Sequence, residues 1–123
     1  MILVDTSIWV DHLRANDESL LVELDAENVL MHSFVIGELA LGHLNPREEL
    51  IETLSDLPLI EPATNDEVLT FITRHRLFGL GIGYVDAHLL AAAQLTAGTA
   101  VWTRDRRLAD VASRLGIALR LPH

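Results

Sequence analysis

Cysteine is absent from the 123 residues. This excludes a disulfide framework, a zinc–thiolate site and a thiol nucleophile, and it makes the reducing cytoplasm the expected compartment. Lysine is absent too: all nine basic residues are arginine, set against 18 acids for a formal charge of −9. Such a balance argues against generic nucleic-acid binding through a basic face. It leaves open a nucleic-acid enzyme whose acids gather round divalent ions, because bound metal reverses the local charge. No apolar run is long enough to span a bilayer and no basic segment leads into one, so neither membrane insertion nor export is expected. No Gly-x-Ser-x-Gly elbow occurs, which leaves acyl transfer unsupported. The glycine-dense stretch Phe78-Gly79-Leu80-Gly81-Ile82-Gly83 lacks the Gly-Lys-Ser/Thr ending of a phosphate loop and reads as a turn feeding the next helix.

What is present is a high apolar fraction, 50%, in a chain of single-domain size. One domain over residues 1–123 accounts for it, and the apolar surplus hints at a covered partner surface. Short apolar runs alternate with helical periodicity. Ile2-Leu3-Val4, Val29 to His32, Leu59-Ile60, Ala100 to Thr103 and Ile117 to Leu121 read as strands. Between them, Ser33 is a candidate cap for a helix to Leu41. Asn45-Pro46-Arg47-Glu48 and Thr64 with Glu67 read as capping boxes. Tyr84 to Thr96 carries a small-residue run, Ala91-Ala92-Ala93, suited to close packing. The alternation implies an α/β fold: a parallel sheet of about five strands with helices on both faces.

Four acids stand at comparable places in that order. Asp5 ends the first strand, Glu38 lies one to two turns into the helix after the second, Asp86 is in the first turn of a helix, and Asp105 follows the fourth strand. A parallel sheet would bring all four to its carboxyl edge, where ligands bind in such folds. Like charges so gathered require a cation, and hard divalent ions such as Mg²⁺ or Mn²⁺ match all-oxygen donors. Singly, Asp86 and Asp105 are also good helix-cap residues. Asp5 and Glu38 sit in apolar surroundings where a surface acid is unexpected. Thr6, Ser7 and Thr103 adjoin the acids as hydroxyls that either orient water or cap helices, capping being the stronger reading for Ser7. The six histidines show no metal-ligand spacing and are assigned no role.

These blocks together resemble a known family. Met1-Ile2-Leu3-Val4-Asp5-Thr6-Ser7-Ile8-Trp9-Val10-Asp11, Ile36-Gly37-Glu38-Leu39, Tyr84-Val85-Asp86-Ala87-His88-Leu89-Leu90 and Trp102-Thr103-Arg104-Asp105-Arg106-Arg107-Leu108 are similar to the signature blocks of PIN-domain ribonucleases. Within that superfamily they resemble VapC-type toxins of type II toxin–antitoxin systems. The resemblance implies a Mg²⁺-dependent endoribonuclease, a homodimer, and inhibition by a cognate VapB-type antitoxin. It matches Asp5 and Asp86 to the principal metal ligands and Glu38 and Asp105 to the other acids of the catalytic set. Thr6 or Thr103 would be the hydroxyl partner. The arginines grouped near Asp105, Arg104 with Arg106 and Arg107, are accessory candidates for positioning the RNA backbone, solvated helix ends being the competing reading. Two alternatives compete. A receiver-type signalling domain requires an aspartate after the third strand and a lysine after the fifth, where this chain has Glu61-Pro62 and no lysine at all. A catalytically inactive PIN scaffold used for binding is disfavoured by the intact acids.

Overall fold

The computed structural model describes residues 1–119. β1 (Ile2–Val4) lies between β2 (Val29–Leu30) and β3 (Ala100–Trp102), and both neighbours pair with it in parallel. The register sets Leu3 opposite Leu30 on one side and Val101 on the other. All three β1 residues are buried although successive side chains point to opposite faces, so both faces of the sheet are covered.

The sheet is narrower than the sequence implies. Among the described residues three strands form instead of about five, and the other two candidates each contribute a single parallel bridge, Met31 to Leu59 and Val101 to Ala118. Leu59 is half exposed at its edge, so little burial drives longer pairing there. Residues 120 and 121 of the last candidate fall outside the described residues.

Seven helices fill the connections among the described residues: α1 (Thr6–Ala15), α2 (Glu18–Asp25), α3 (Ser33–Ala40), α4 (Arg47–Ser55), α5 (Asn65–Arg74), α6 (Tyr84–Leu95) and α7 (Arg106–Arg114). The Thr64–Glu67 capping box at α5 is formed. That expected at Asn45 is not: α4 begins at Arg47, with Pro46 in the cap position and no side-chain cap bond. At α3 the cap is His32 rather than Ser33, its Nδ1 accepting from the Phe34 amide at 2.9 Å.

Helix α6 is central. Every residue from Ala87 to Ala93 is buried, so the helix is enclosed round its whole circumference, and the three alanines keep its neighbours close. Leu89 and Leu90 join Leu3, Val4, Ile8, Met31, Val35 and Leu108 in one core. Full burial of each such leucine contributes about 1.5–3 kcal/mol, which fixes the start of α6, and with it Asp86, relative to β1. Two glycines shape the approach to that start: Gly79 and Gly81 have φ of 76° and 78°, a region that other residues rarely enter. A Cβ on Gly81 would also stand 2.7 Å from the Arg107 Nη1, so the turn lies directly on α7. No helix of the described residues is long and apolar enough to cross a membrane.

Candidate metal centre at the carboxyl edge of the sheet

The central strand β1 has β2 on one side and β3 on the other, and in open parallel sheets ligands bind beyond the carboxyl ends of the strands where the order diverges in this way. Asp5 and Thr103 are the first residues past those ends. The ladder extends one step to join them, the Asp5 amide donating to the Trp102 carbonyl at 2.9 Å.

Asp5 is buried and serves as the N-cap of α1. One oxygen, Oδ2, takes every bond it is given: from the Thr103 hydroxyl at 2.7 Å, the Ser7 hydroxyl at 2.8 Å and the Ser7 amide at 3.3 Å. Oδ1 has no hydrogen-bond donor among the described residues and is left for another partner. Ser7, set aside as a mere cap, is therefore part of the site, and its hydroxyl also accepts from the Arg104 amide at 3.0 Å. The local signal for it was the aspartate-to-i+2 spacing, which permits a side chain to bond the backbone two residues on.

Thr6 points elsewhere. Its hydroxyl donates to Glu38 Oε1 at 2.7 Å, tying the first turn of α1 to α3 and leaving Oε2 free of protein donors among the described residues. Glu38 itself is exposed rather than buried as its apolar neighbours suggested. Asp105 is the N-cap of α7, accepting on Oδ1 from the amides of Arg107 at 2.9 Å and Leu108 at 3.2 Å. Thr103 links it to Asp5, since its hydroxyl oxygen accepts from the Asp105 amide at 3.0 Å.

Asp86 sits half-buried in the first turn of α6, Oδ2 accepting from the Gly83 amide at 3.1 Å. Burial pushes its carboxyl above the ordinary aspartate range; the Gly83 bond opposes this, and the charges of Asp5, Asp105 and Glu38 push it up further. The four acids expected from the sequence thus feel one another at a single edge. Three of them, Asp5, Asp86 and Asp105, lie at the N-termini of α1, α6 and α7, whose positive dipole ends moderate the repulsion.

Arg104 does not join the acids. Its guanidinium is held by Asp11 on α1 and Asp17, the N-cap of α2, which raise its pKa. Asp17 is in turn held below its ordinary range, chiefly by the Leu20 amide. No arginine contact to an incoming phosphate is prearranged at this position.

Among the described residues, no three His, Asp or Glu side chains converge closely enough to enclose a metal ion by themselves. Mg²⁺ does not require that: it keeps several waters and commonly takes one or two carboxylates. The free Oδ1 of Asp5, beside a half-buried Asp86 whose charge no local cation offsets, fits such a hydrated ion. The groove of about 520 Å³ between α5 and α6, lined by Phe71, Arg74, His75, Ala91 and Leu95 among others, holds none of the four acids.

Sequence reasoning missed an aromatic cluster next to this edge. His88, buried in α6, meets Phe34 at 4.7 Å and Tyr84 at 4.6 Å between ring centroids, and His32 meets Phe34 at 5.0 Å. Burial lowers the pKa of both histidines, so neither is a cation near neutrality. Tyr84 and His88 share the i, i+4 spacing of one face of α6, a signal that was available, whereas the contact of Phe34 with His88 joins α3 to α6 and has no spacing rule.

A family model described as PIN domain matches residues 2–114. Ribonuclease VapC32 of Mycobacterium tuberculosis, from strains CDC 1551/Oshkosh and ATCC 25618/H37Rv alike, is 44% identical over 119 residues, covering 97% of this chain and 96% of that protein. Two solved structures are similar in fold. One, described as FitAB bound to an IR36 DNA fragment, has a TM-score of 0.66 at 20% identity, covering 100% of this chain and 99% of that one. The other, FitAcB from Neisseria gonorrhoeae, has a TM-score of 0.62 at 23% identity, with 92% and 94% covered.

Proposed function

The chain belongs to the PIN-domain family, among its VapC-type ribonucleases, and from that premise we propose that it is a Mg²⁺-dependent endoribonuclease acting as the toxin of a toxin–antitoxin pair. One observation carries the metal assignment: Asp5, Glu38 and Asp105 all raise the pKa of a half-buried Asp86, no arginine offsets them there, and Arg104 is committed to Asp11 and Asp17. A charge excess of that kind destabilises a fold unless a cation is its normal occupant.

In this reading Asp5 and Asp86 would hold the ion. When bound, Mg²⁺ supplies positive charge to the phosphoryl oxygens and lowers the pKa of water, which makes phosphodiester hydrolysis accessible near neutral pH. The protein's own part is orientation. Thr103 and Ser7 fix the Asp5 carboxylate through Oδ2, so that Oδ1 is presented in one direction. Thr6 fixes Glu38 through Oε1 and leaves Oε2 to accept a proton from the attacking water. Asp105, spent on one oxygen by its cap bonds, keeps the other for a second ion or for that same proton.

Partners follow from the family: an RNA substrate, a second copy of the chain, and a VapB-type antitoxin, all in the cytoplasm. Apolar side chains left in solvent, Val22 at 64% and Leu41 at 90% exposure, are available to the protein partners. RNA cleavage by the purified chain, with Mg²⁺ and again with chelator, tests the enzyme assignment. Cleavage should require Mg²⁺ and vanish in Asp5→Asn; full activity of folded Asp5→Asn protein would overturn it.

A further inference from the structure

Six aromatic residues of the Phe, Tyr and Trp type occur in the whole chain. Trp9, Trp102 and Phe71 are buried, while Phe34, Phe78 and Tyr84 reach solvent. Two of the three exposed rings are placed rather than loose. Phe34 packs on His88 with ring planes inclined at 58°, and Tyr84 meets the same imidazole edge-on at 89°. His88 is 2% exposed, and neither ring nitrogen has a hydrogen-bond partner among the described residues. Its ring is therefore held by packing alone, and it forms a fixed wall behind two rings that are 40% and 47% exposed. The Tyr84 hydroxyl, donating to Asn65 Oδ1 at 3.3 Å, tethers that ring at its far end.

Both rings border the acid edge. Phe34 precedes Glu38 by one turn on the same side of α3. Tyr84 lies inside the turn that the Gly83 amide closes on Asp86. The charge around them sharpens the question of what holds RNA: the chain carries −9, the edge is acidic, and Arg104 is engaged elsewhere, which leaves Arg106 and Arg107 beside Asp105. Arg106 and Arg107, exposed in the first turn of α7, can meet phosphates, and the flat faces of unpaired bases offer a further attraction that acids do not oppose.

We propose that Phe34 and Tyr84, backed by His88, form a nucleobase-stacking subsite that holds an unpaired base of single-stranded RNA beside the acid edge. The proposal rests on the nuclease reading and adds how this chain grips its substrate. Leucine replacements keep apolar bulk but remove the flat π face, so they separate stacking from a merely apolar contact.

The test is steady-state cleavage of a single-stranded RNA oligonucleotide with Mg²⁺ by wild type, Phe34→Leu, Tyr84→Leu and Tyr84→Phe, each checked for folding by circular dichroism. Binding of the same oligonucleotide carrying 2-aminopurine is followed by fluorescence with Ca²⁺ in place of Mg²⁺. The leucine variants should raise KM about 5- to 150-fold, the range that loss of one stacked base implies. The kcat should change little, the quenching of 2-aminopurine should be lost, and Tyr84→Phe should restore both. Wild-type cleavage with KM and quenching unchanged in both leucine variants would overturn the subsite and leave the nuclease reading standing. Should those variants instead alter self-association in sedimentation at unchanged KM, the rings belong to a protein contact and the proposal fails. Absence of Mg²⁺-dependent cleavage by wild type would overturn the nuclease reading, and the subsite with it.

Discussion

At the end of β1 the Asp5 carboxylate is buried yet supplied with three donors on one oxygen, whereas at the start of α6 the half-buried Asp86 carboxylate receives one amide and the repulsion of three acids. The two corners do different work. The β1 corner spends hydroxyls to aim a carboxylate, and its desolvation is offset by those bonds. The α6 corner is anchored by an enclosed helix that stays in place while its acid is unfavourably charged, a strain that the proposed cation would relieve. Stability is given up where function needs an uncompensated charge.

The largest effect expected from breaking this pairing is on catalysis. Asp5→Asn and Asp86→Asn should each lower RNA cleavage by about 10³-fold or more, since loss of the ion removes several kcal/mol of charge stabilisation. A single-turnover assay that found one of them near wild type would show that the corners do not share one ion.

Next comes the preorganised side alone. Thr103→Val removes both the donor to Asp5 and the acceptor for the Asp105 amide, and should cost about 1–3 kcal/mol in denaturant unfolding. Cleavage should fall as well, because Oδ2 loses its shortest bond.

The strained side responds with the opposite sign. With its pKa raised in the folded state, Asp86 favours folding below the ordinary carboxylate range, and that contribution is lost as pH rises through the raised value. In chelator, Asp86→Asn should therefore melt at higher temperature than wild type near neutral pH, with the gap closing towards acid pH. A gap of constant size across that range would mean that packing, not charge, separates the variants. The smallest effect belongs to the ion pairs beside the β1 corner. Arg104→Gln breaks exposed contacts to Asp11 and Asp17 and should change stability by less than about 1 kcal/mol, measured by urea titration.

Much of this contrast could be read from the chain because three of the four acids are local devices. Asp5, Asp86 and Asp105 each close a helix N-terminus within three residues, and short-range chemistry of that kind is written in sequence spacing. Glu38 was identified, but its tie to Thr6 spans 32 positions and depends on how α1 and α3 cross. Arg104 looked like a phosphate contact because it stands between Thr103 and Asp105 of the site; its partners in space are Asp11 and Asp17. The outer strands were overestimated for a related reason. Leu59 and Ala118 carry strand-like sequence, but each makes one bridge at an edge where pairing has little to bury. The aromatic cluster on His88 left only the i, i+4 spacing of Tyr84 and His88 on α6 as a local trace, since Phe34 reaches it from α3, more than fifty positions away.

The most direct measurement is Mn²⁺ binding followed by electron paramagnetic resonance in the intact chain, with Asp5→Asn, Asp86→Asn and, as a control on the exposed side of α7, Asp110→Asn. Asp110→Asn should bind as wild type does while Asp5→Asn and Asp86→Asn each lose the bound signal; undiminished binding by both site variants would contradict a metal centre at this edge.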